Sequence, residues 1–410
     1  RSESMGGARF RARSSRVLHL ARMRRSLRAL GSLIVLAGCA GSQTEEPFAR
    51  WLETIASRSE PGERIVRRIA ALGGTPLRHG DELLFLAVSK SGKPPRVVGD
   101  FNDGGYQASD LVGDGGMTPI GTSGWFFLCA TVPPNTRLEY LIRHGEATAT
   151  DPLNLERTTT FGTERSVAAG SDVPQAPAPT SPDPRGTLTS FPLPSAIREN
   201  EREVTVYVPP GYDASGEPLP TLYVKDGTRF RDEVGLPPIL DALLAAERIP
   251  PVLVVFVDPV QRGLEYGTYG AYRRMVVEEL VPEIERRFAS GGAPERRGLL
   301  GASRGGLAAV DLLIQHPETF GHCVAMSPAI APLPILDEIA EVDRIEGRAT
   351  VLVSRFDTPN LVRDGHALAE ALRTRGVAVE REVPIDHSPM GWRCWVEVAV
   401  TSWAGASPPR

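Results

Sequence analysis

Cysteine is scarce in this chain, four residues in 410, and the four lie scattered at positions 39, 129, 323 and 394. That scatter excludes the dense disulfide framework of small secreted scaffolds and the paired spacing of zinc modules, so neither a metal nor a cofactor is expected. Cys129, Cys323 and Cys394 cannot all pair with one another, and buried free thiols are their expected state. Long apolar runs are also missing. The best candidate, Ala29 to Gly38, has ten residues, against the roughly 20 that a membrane-spanning helix needs. Basic charge is in deficit: the formal net charge is -4, and residues 39–410 hold 37 basic against 49 acidic side chains, a net of -12. No basic face is left for nucleic acid. What remains is an ordinary globular composition, 41% hydrophobic and 23% charged, in a chain long enough for two domains.

The basic charge that exists is concentrated at the start, where residues 1–38 contain nine arginines and Glu3 as their one acid. An apolar stretch follows and stops at Cys39, the order of a basic segment and an apolar core in an export signal. Leu36-Ala37-Gly38-Cys39 resembles the cleavage box of bacterial lipoproteins. The resemblance implies Met23 as the natural start, Cys39 as the lipidated first residue, and a lipid anchor on the periplasmic side of the envelope. Ala40 in place of aspartate favours the outer membrane. A plain secretory signal is the alternative.

Residues 171–186, "SDVPQAPAPTSPDPRG", are proline-rich without apolar period and read as a semi-extended linker. Upstream, in residues 39–170, the short runs "ELLFLAV", "PRVVGDF", "GWFFLCATV" and "RLEYLIRHG" alternate with turn residues, which predicts a small β-sandwich. "VVGDFND", Met117, Gly124-Trp125, Tyr140 and "DPLN" resemble the immunoglobulin-like modules that precede glycogen-branching enzymes and enterochelin-esterase-type hydrolases. Sugar-binding versions carry an aromatic platform where this chain has Asp103 and Gly104. A structural or substrate-orienting role is therefore expected, with Trp125 in the core. Downstream, in residues 187–410, "TLYVK", "PVLVVFV", "RGLLGAS", "HCVAMS" and "TVLVSR" are continuous apolar runs of the kind that parallel strands covered on both faces require. Amphipathic stretches such as Tyr272 to Phe288 lie between them, so a doubly wound α/β domain is expected. Its length leaves no room for a large lid.

Within that domain stands Gly301-Ala302-Ser303-Arg304-Gly305. G-x-S-x-G alone is weak, since a chain this rich in glycine and serine produces about 0.3 chance matches. Its setting is stronger: an apolar strand precedes Ser303, and a helix with Leu307, Val310, Leu313 and Ile314 on one face follows. That is the strand, turn and helix of a nucleophile elbow. A serine needs a base, and the base an orienting carboxylate, in the chain order Ser, Asp, His. Asp357 follows the next-to-last core strand and His387 the last. Asp386 and Asp364 are rival carboxylates; His316, His322 and His366 read as structural. Two backbone donors should form an oxyanion hole: Arg304, and Gly227 or Thr228 from the loop after "LYVK".

With "REVTVYVPPGYD", "LPTLYVKDG", "VVFVDPVQRGLEYG", "GASRGG", "HPETFGHCVAMSPA", "RFDTPNLVRDGHAL" and "DHSPMGWRCW", residues 188–403 resemble the esterases related to enterochelin esterase and esterase D. The resemblance implies an α/β-hydrolase fold and a cofactor-free serine esterase working through an acyl-enzyme on small-molecule esters, with a homodimer admitted. Siderophore esters are the first substrate class it suggests, feruloyl or acetyl groups on polysaccharide a second. A non-catalytic binding lipoprotein on the same fold is the reading from another class. Arg262 and Glu265 match the family's R-x-x-E-Y element, as an ion pair bracing a loop or as substrate contacts. Arg304 stands where the family has an uncharged residue, and "HSPMGW" departs from its histidine loop; Arg304 and Trp392 are candidate substrate contacts.

Overall fold

The structure, a computed structural model, describes residues 48–58, 60–178, 184–268, 270–330 and 334–405. The leader and the expected lipidation site Cys39 lie outside these residues. No helix among them is long and apolar enough to cross a membrane.

Two helices open the described chain, α1 (Ala49–Ala56) and α2 (Gly62–Ala71). Neither was expected, although the spacings Leu52/Ile55 and Ile65/Ile69 place their buried residues on one helical face. Nine strands follow: β1 (Leu77–His79), β2 (Glu82–Val88), β3 (Arg96–Val98), β4 (Thr118–Pro119), β5 (Trp125–Thr131), β6 (Arg137–His144), β7 (Ala147–Ala149), β8 (Arg157–Thr160) and β9 (Thr163–Ala169). They form two antiparallel sheets, β1-β2-β5-β4 and β3-β6-β9-β8, with β7 added beside β6. Leu83, Phe85 and Ala87 of β2 meet Leu138, Tyr140 and Ile142 of β6 between the sheets. Leu84 and Leu86 point the other way, with Trp125 and Phe127, and are covered by the two helices. Burial on both faces explains why "ELLFLAV" reads as an unbroken apolar run. Trp125 is core, as expected.

The second layer system is one sheet of eight strands: β10 (Thr187–Ser195), β11 (Asn200–Val208), β12 (Thr221–Lys225), β13 (Leu253–Val257), β14 (Arg297–Ala302), β15 (His322–Met326), β16 (Arg348–Ser354) and β17 (Ala378–Val383). The order is β10-β11-β13-β12-β14-β15-β16-β17, antiparallel through β11 and β13 and parallel beyond. Helices α3 (Leu236–Ala245), α4 (Arg262–Thr268), α5 (Gly270–Arg274), α6 (Val281–Arg287), α7 (Arg304–Gln315), α8 (Ile335–Glu341), α9 (Pro359–Thr374) and α10 (Pro389–Ala404) connect the strands. α3 and α10 contribute to the core on one face, and α7, α8 and α9 to the core on the other. The single helix expected over 272–288 is divided by a π turn, Met275–Leu280, that ends two residues before Pro282. A proline has no N–H to give and crowds the preceding turn, which the wider π geometry accommodates. Cys323 is a buried free thiol as expected, and Cys394 is free but only partly buried; Cys129 is disulfide-bonded, which corrects that expectation.

The last residue of β12 is a lysine, fully buried, whose Nζ has no hydrogen-bond partner among the described residues. Burial, helped by the nearby Arg202, lowers its pKa to about 7. A folded-state value below the unfolded one means that folding disfavours the charged amine, so stability rises with pH from about 7 towards 10.5. Lys225→Met, similar in volume and without charge, should raise the melting temperature clearly at pH 6.5 and much less at pH 9.5. Calorimetry at the two pH values checks this, and an equal gain at both would remove the charge argument.

Candidate active site

β14 delivers the chain to Ser303 in a left-handed conformation, φ 57° and ψ -128°, and α7 begins at the next residue. A serine there is strained, and the surroundings hold it. Its N–H donates to the Met326 carbonyl at 2.9 Å, and its own carbonyl accepts from the Ala329 N–H at 3.2 Å. The two flanking glycines are dictated by close approach. A Cβ on Gly301 would stand 2.3 Å from the Gly305 carbonyl carbon, and one on Gly305 would stand 2.9 Å from an Asp226 carboxylate oxygen. Arg304 is the first helical residue, so its N–H has no acceptor within the helix and is available to a ligand.

Asp357 and His387 emerge from the loops after β16 and β17. His387 Nδ1 lies 2.7 Å from Asp357 Oδ2, and the other oxygen, Oδ1, accepts from the Thr358 N–H at 2.7 Å. The carboxylate side chain is 1% exposed, the imidazole 16%. A carboxylate can only accept, so Nδ1 carries the proton and Nε2 keeps its lone pair. Among the described residues Ser303 Oγ and His387 are not hydrogen-bonded to each other; such bonds are often long before substrate binds. Of the rival acids, Asp364 pairs with Arg363 at 2.9 Å, and Asp386 faces away, towards β6. His322 is buried, its Nε2 3.3 Å from Thr350 Oγ1, and burial lowers its pKa to about 3; His316 and His366 pair with glutamates.

Trp392 is buried rather than presented to substrate, which corrects the expectation. Its ring stands edge-on to His387 at 5.2 Å and stacks on Phe230 at 6.4 Å, while its Nε1–H donates to Ser327 Oγ at 3.1 Å. It is a wall that fixes the imidazole plane.

The oxyanion loop also differs from expectation. The Thr228 N–H donates to Asp258 at 3.1 and 3.2 Å and the hydroxyl donates to the same carboxylate, so Thr228 is committed elsewhere and Gly227 is the remaining candidate. A Cβ on Gly227 would collide with the Val257 nitrogen at 2.4 Å. Arg262 and Glu265 do not pair with each other. Arg262 holds Asp226, the residue before Gly227, by two bonds of 2.8 and 2.7 Å. Glu265 is buried and takes Arg202 of β11 at 2.8 and 3.3 Å, out of reach of a substrate. Sequence reasoning passed over Asp258, although it directly follows the run "VLVVFV", at the strand edge where α/β sites gather. The Arg304 guanidinium, beside Gly263, has no ion-pair partner among the described residues.

Residues 195–392 match the family model described as "Putative esterase". The iron(III) enterobactin esterase of Dickeya dadantii is 29% identical over 192 residues, which are 43% of this chain and 42% of that protein. A Bacillus subtilis protein, YbbA, is 26% identical over 150 residues, 32% of this chain and 59% of that one. The chain thus spans about half the length of these curated relatives. Among solved structures, the enterobactin esterase of Shigella flexneri, determined in the presence of enterobactin, aligns over 84% of this chain and 98% of its own with a TM-score of 0.65. At 19% identity that likeness shows the fold. The family match, which covers just under half of the chain, and these relatives together support an esterase of the enterochelin-esterase type in the α/β domain.

Proposed function

We propose that the chain hydrolyses carboxylic esters through an acyl-enzyme, with Ser303 as nucleophile, His387 as base and Asp357 as the carboxylate that orients it. The observation that carries this is the 2.7 Å bond between His387 Nδ1 and Asp357, at the same sheet edge as a serine held in a strained strand-to-helix turn. Nε2 takes the Ser303 proton as Oγ adds to the ester carbonyl, and Asp357 stabilises the imidazolium. The Arg304 and Gly227 N–H groups meet the developing oxyanion. The imidazolium returns the proton to the leaving alcohol, and the base then activates a water that releases the acid from the serine.

For the substrate we propose siderophore esters carrying negative charge. The enterobactin esterases of Dickeya and Shigella to which the chain is similar support that class, and so does the Arg304 guanidinium, one residue from the nucleophile and without an ion-pair partner among the described residues. The location proposed with it is the periplasmic face of the envelope, on the strength of the basic and apolar leader.

A fluorophosphonate probe should label the wild type and leave Ser303→Ala unlabelled. His387→Ala should abolish turnover, and Asp357→Asn should lose on the order of 10⁴ in kcat through the wrong imidazole tautomer. Ester turnover by Ser303→Ala within tenfold of wild type would sink the assignment. Replacing Arg304 by Met should lower the ratio of kcat/KM for carboxylate-bearing over neutral esters by about tenfold or more, the worth of one charged hydrogen bond. An unchanged ratio would place the arginine outside substrate recognition.

A further inference from the structure

The β-sandwich meets the α/β domain at the loops that hold the candidate triad. The Arg137 N–H of β6 donates to the Pro384 carbonyl at 3.2 Å, which sets Arg137 beside Ile385 in parallel register. Two residues on, the Glu139 N–H donates to Asp386 Oδ2. Asp386 Oδ1 in turn accepts the Ser388 hydroxyl at 2.6 Å, and Ser388 Oγ accepts the Gly391 N–H at 3.0 Å as the cap of α10. His387 therefore sits between a residue bonded across the domain junction and a residue bonded to the helix that follows.

The Asp357 loop is held in the same way. Phe356, its immediate neighbour, is 7% exposed and packs in the sandwich core with Phe85, Phe101 and Tyr140. The turn Asp100–Gly105 packs on α9, the helix that follows Asp357. The Phe356 N–H donates to the Ile385 carbonyl at 3.0 Å, which ties the two loops together. Phe161 at the tip of the β8–β9 hairpin lies under the Arg229 guanidinium at 5.0 Å, one residue past Thr228.

The chemistry at the junction is expensive for mere adhesion. Arg137, Glu139 and Asp386 are all buried, and Glu139 Oε2 has no hydrogen-bond partner among the described residues. One cation, Arg137, faces two carboxyl groups there, with Asp100 and its partner Arg165 at the rim. Apolar residues of similar volume would hold two domains together at less cost. Directional bonds to a fully buried side chain define register instead.

We infer that the sandwich is a working part of the catalytic centre, with Asp386 as a positioning residue through which strand β6 holds His387 against Asp357. The inference rests on the esterase reading proposed above, and the test separates the two. In the full chain, kcat, KM, the fluorophosphonate labelling rate and the melting temperature are measured for wild type, Asp386→Ala and Asp386→Asn. The Ala variant should lose at least tenfold in kcat and in labelling rate with KM within twofold. The Asn variant should recover to within threefold of wild type, because its amide oxygen still accepts the Glu139 N–H and its NH₂ can donate to Ser388. A wild type that is folded yet takes no label would overturn the esterase reading, and the inference with it. A labelled wild type matched by an equally fast Asp386→Ala would overturn the inference alone, as would a folded Asp386→Asn no better than Ala. If Asp386→Ala does not fold, Phe356→Leu takes its place: kcat at least threefold lower at unchanged KM is expected, and wild-type kcat would overturn the inference.

Discussion

The constraint on which the rest depends is the close approach of helix α7 to the ends of strands β12 and β14. Gly301 and Gly305 come so near each other that no Cβ fits between them, and Gly305 in turn touches Lys225 and Asp226. That packing forces the chain at Ser303 into a positive φ and aims the helix N-terminus at the sheet's carboxyl edge. A left-handed serine costs on the order of 1–3 kcal/mol. The surrounding layers offset it with many buried side chains, each fully buried aliphatic residue contributing about 1.5–3 kcal/mol relative to exposure. Leu307, Leu312 and Leu313 of α7 and Leu299 and Leu300 of β14 are all inaccessible to solvent.

From that turn outward, charge is arranged in bonded pairs whose members point at the backbone carrying the chemistry. Arg262 closes a two-bond fork on Asp226 and so fixes the backbone before Gly227. Asp258 occupies the Thr228 N–H that would otherwise compete for the same position. Trp392 and Asp357 hold the imidazole from two directions, one by an edge-on ring and one by a hydrogen bond. Arg304 and the buried Lys225 are the exceptions. Within the elbow, the Arg304 cation has no ion-pair partner among the described residues.

How much of this was legible in the sequence follows from how local each cause is. The α/β layers were visible because parallel strands buried on both faces must be apolar at every position, as "LVVFV" and "TLYVK" are. The serine turn was visible because its glycines and its flanking elements lie within a dozen residues of one another. Asp357 and His387 were placed from chain order and strand edges, and the structure brings them to hydrogen-bond distance. The partner of Arg262 was misjudged because Glu265, three residues on in the same helix, is its natural local neighbour, whereas Asp226 is a strand away. Trp392 was read as a substrate contact because nothing nearby in sequence announces Phe230 and Ser327, which enclose it. The missed helices α1 and α2 have short faces of two buried residues each, and their signal lies in what they cover rather than in themselves.

The residues that suggested the N-terminal resemblance also say what that module is built to do. Tyr140 and Asp151 bond to each other at 2.7 Å inside the sandwich, Asn154 reaches Tyr140 and the Val167 carbonyl, and Thr75 closes the network on Asp151. These motif side chains point inward and lock the corner of the sandwich, so they contribute no exposed platform for a sugar ring. What the module does expose in an organised way is the start of β6, and that edge is spent on the loop before His387. A domain tethered only to bring an enzyme to a polymer would place its bonding surface away from the partner it carries. Here the directional bonds of the module run to the histidine loop, the place where the proposed mechanism would be most sensitive to a rigid reference for the imidazole.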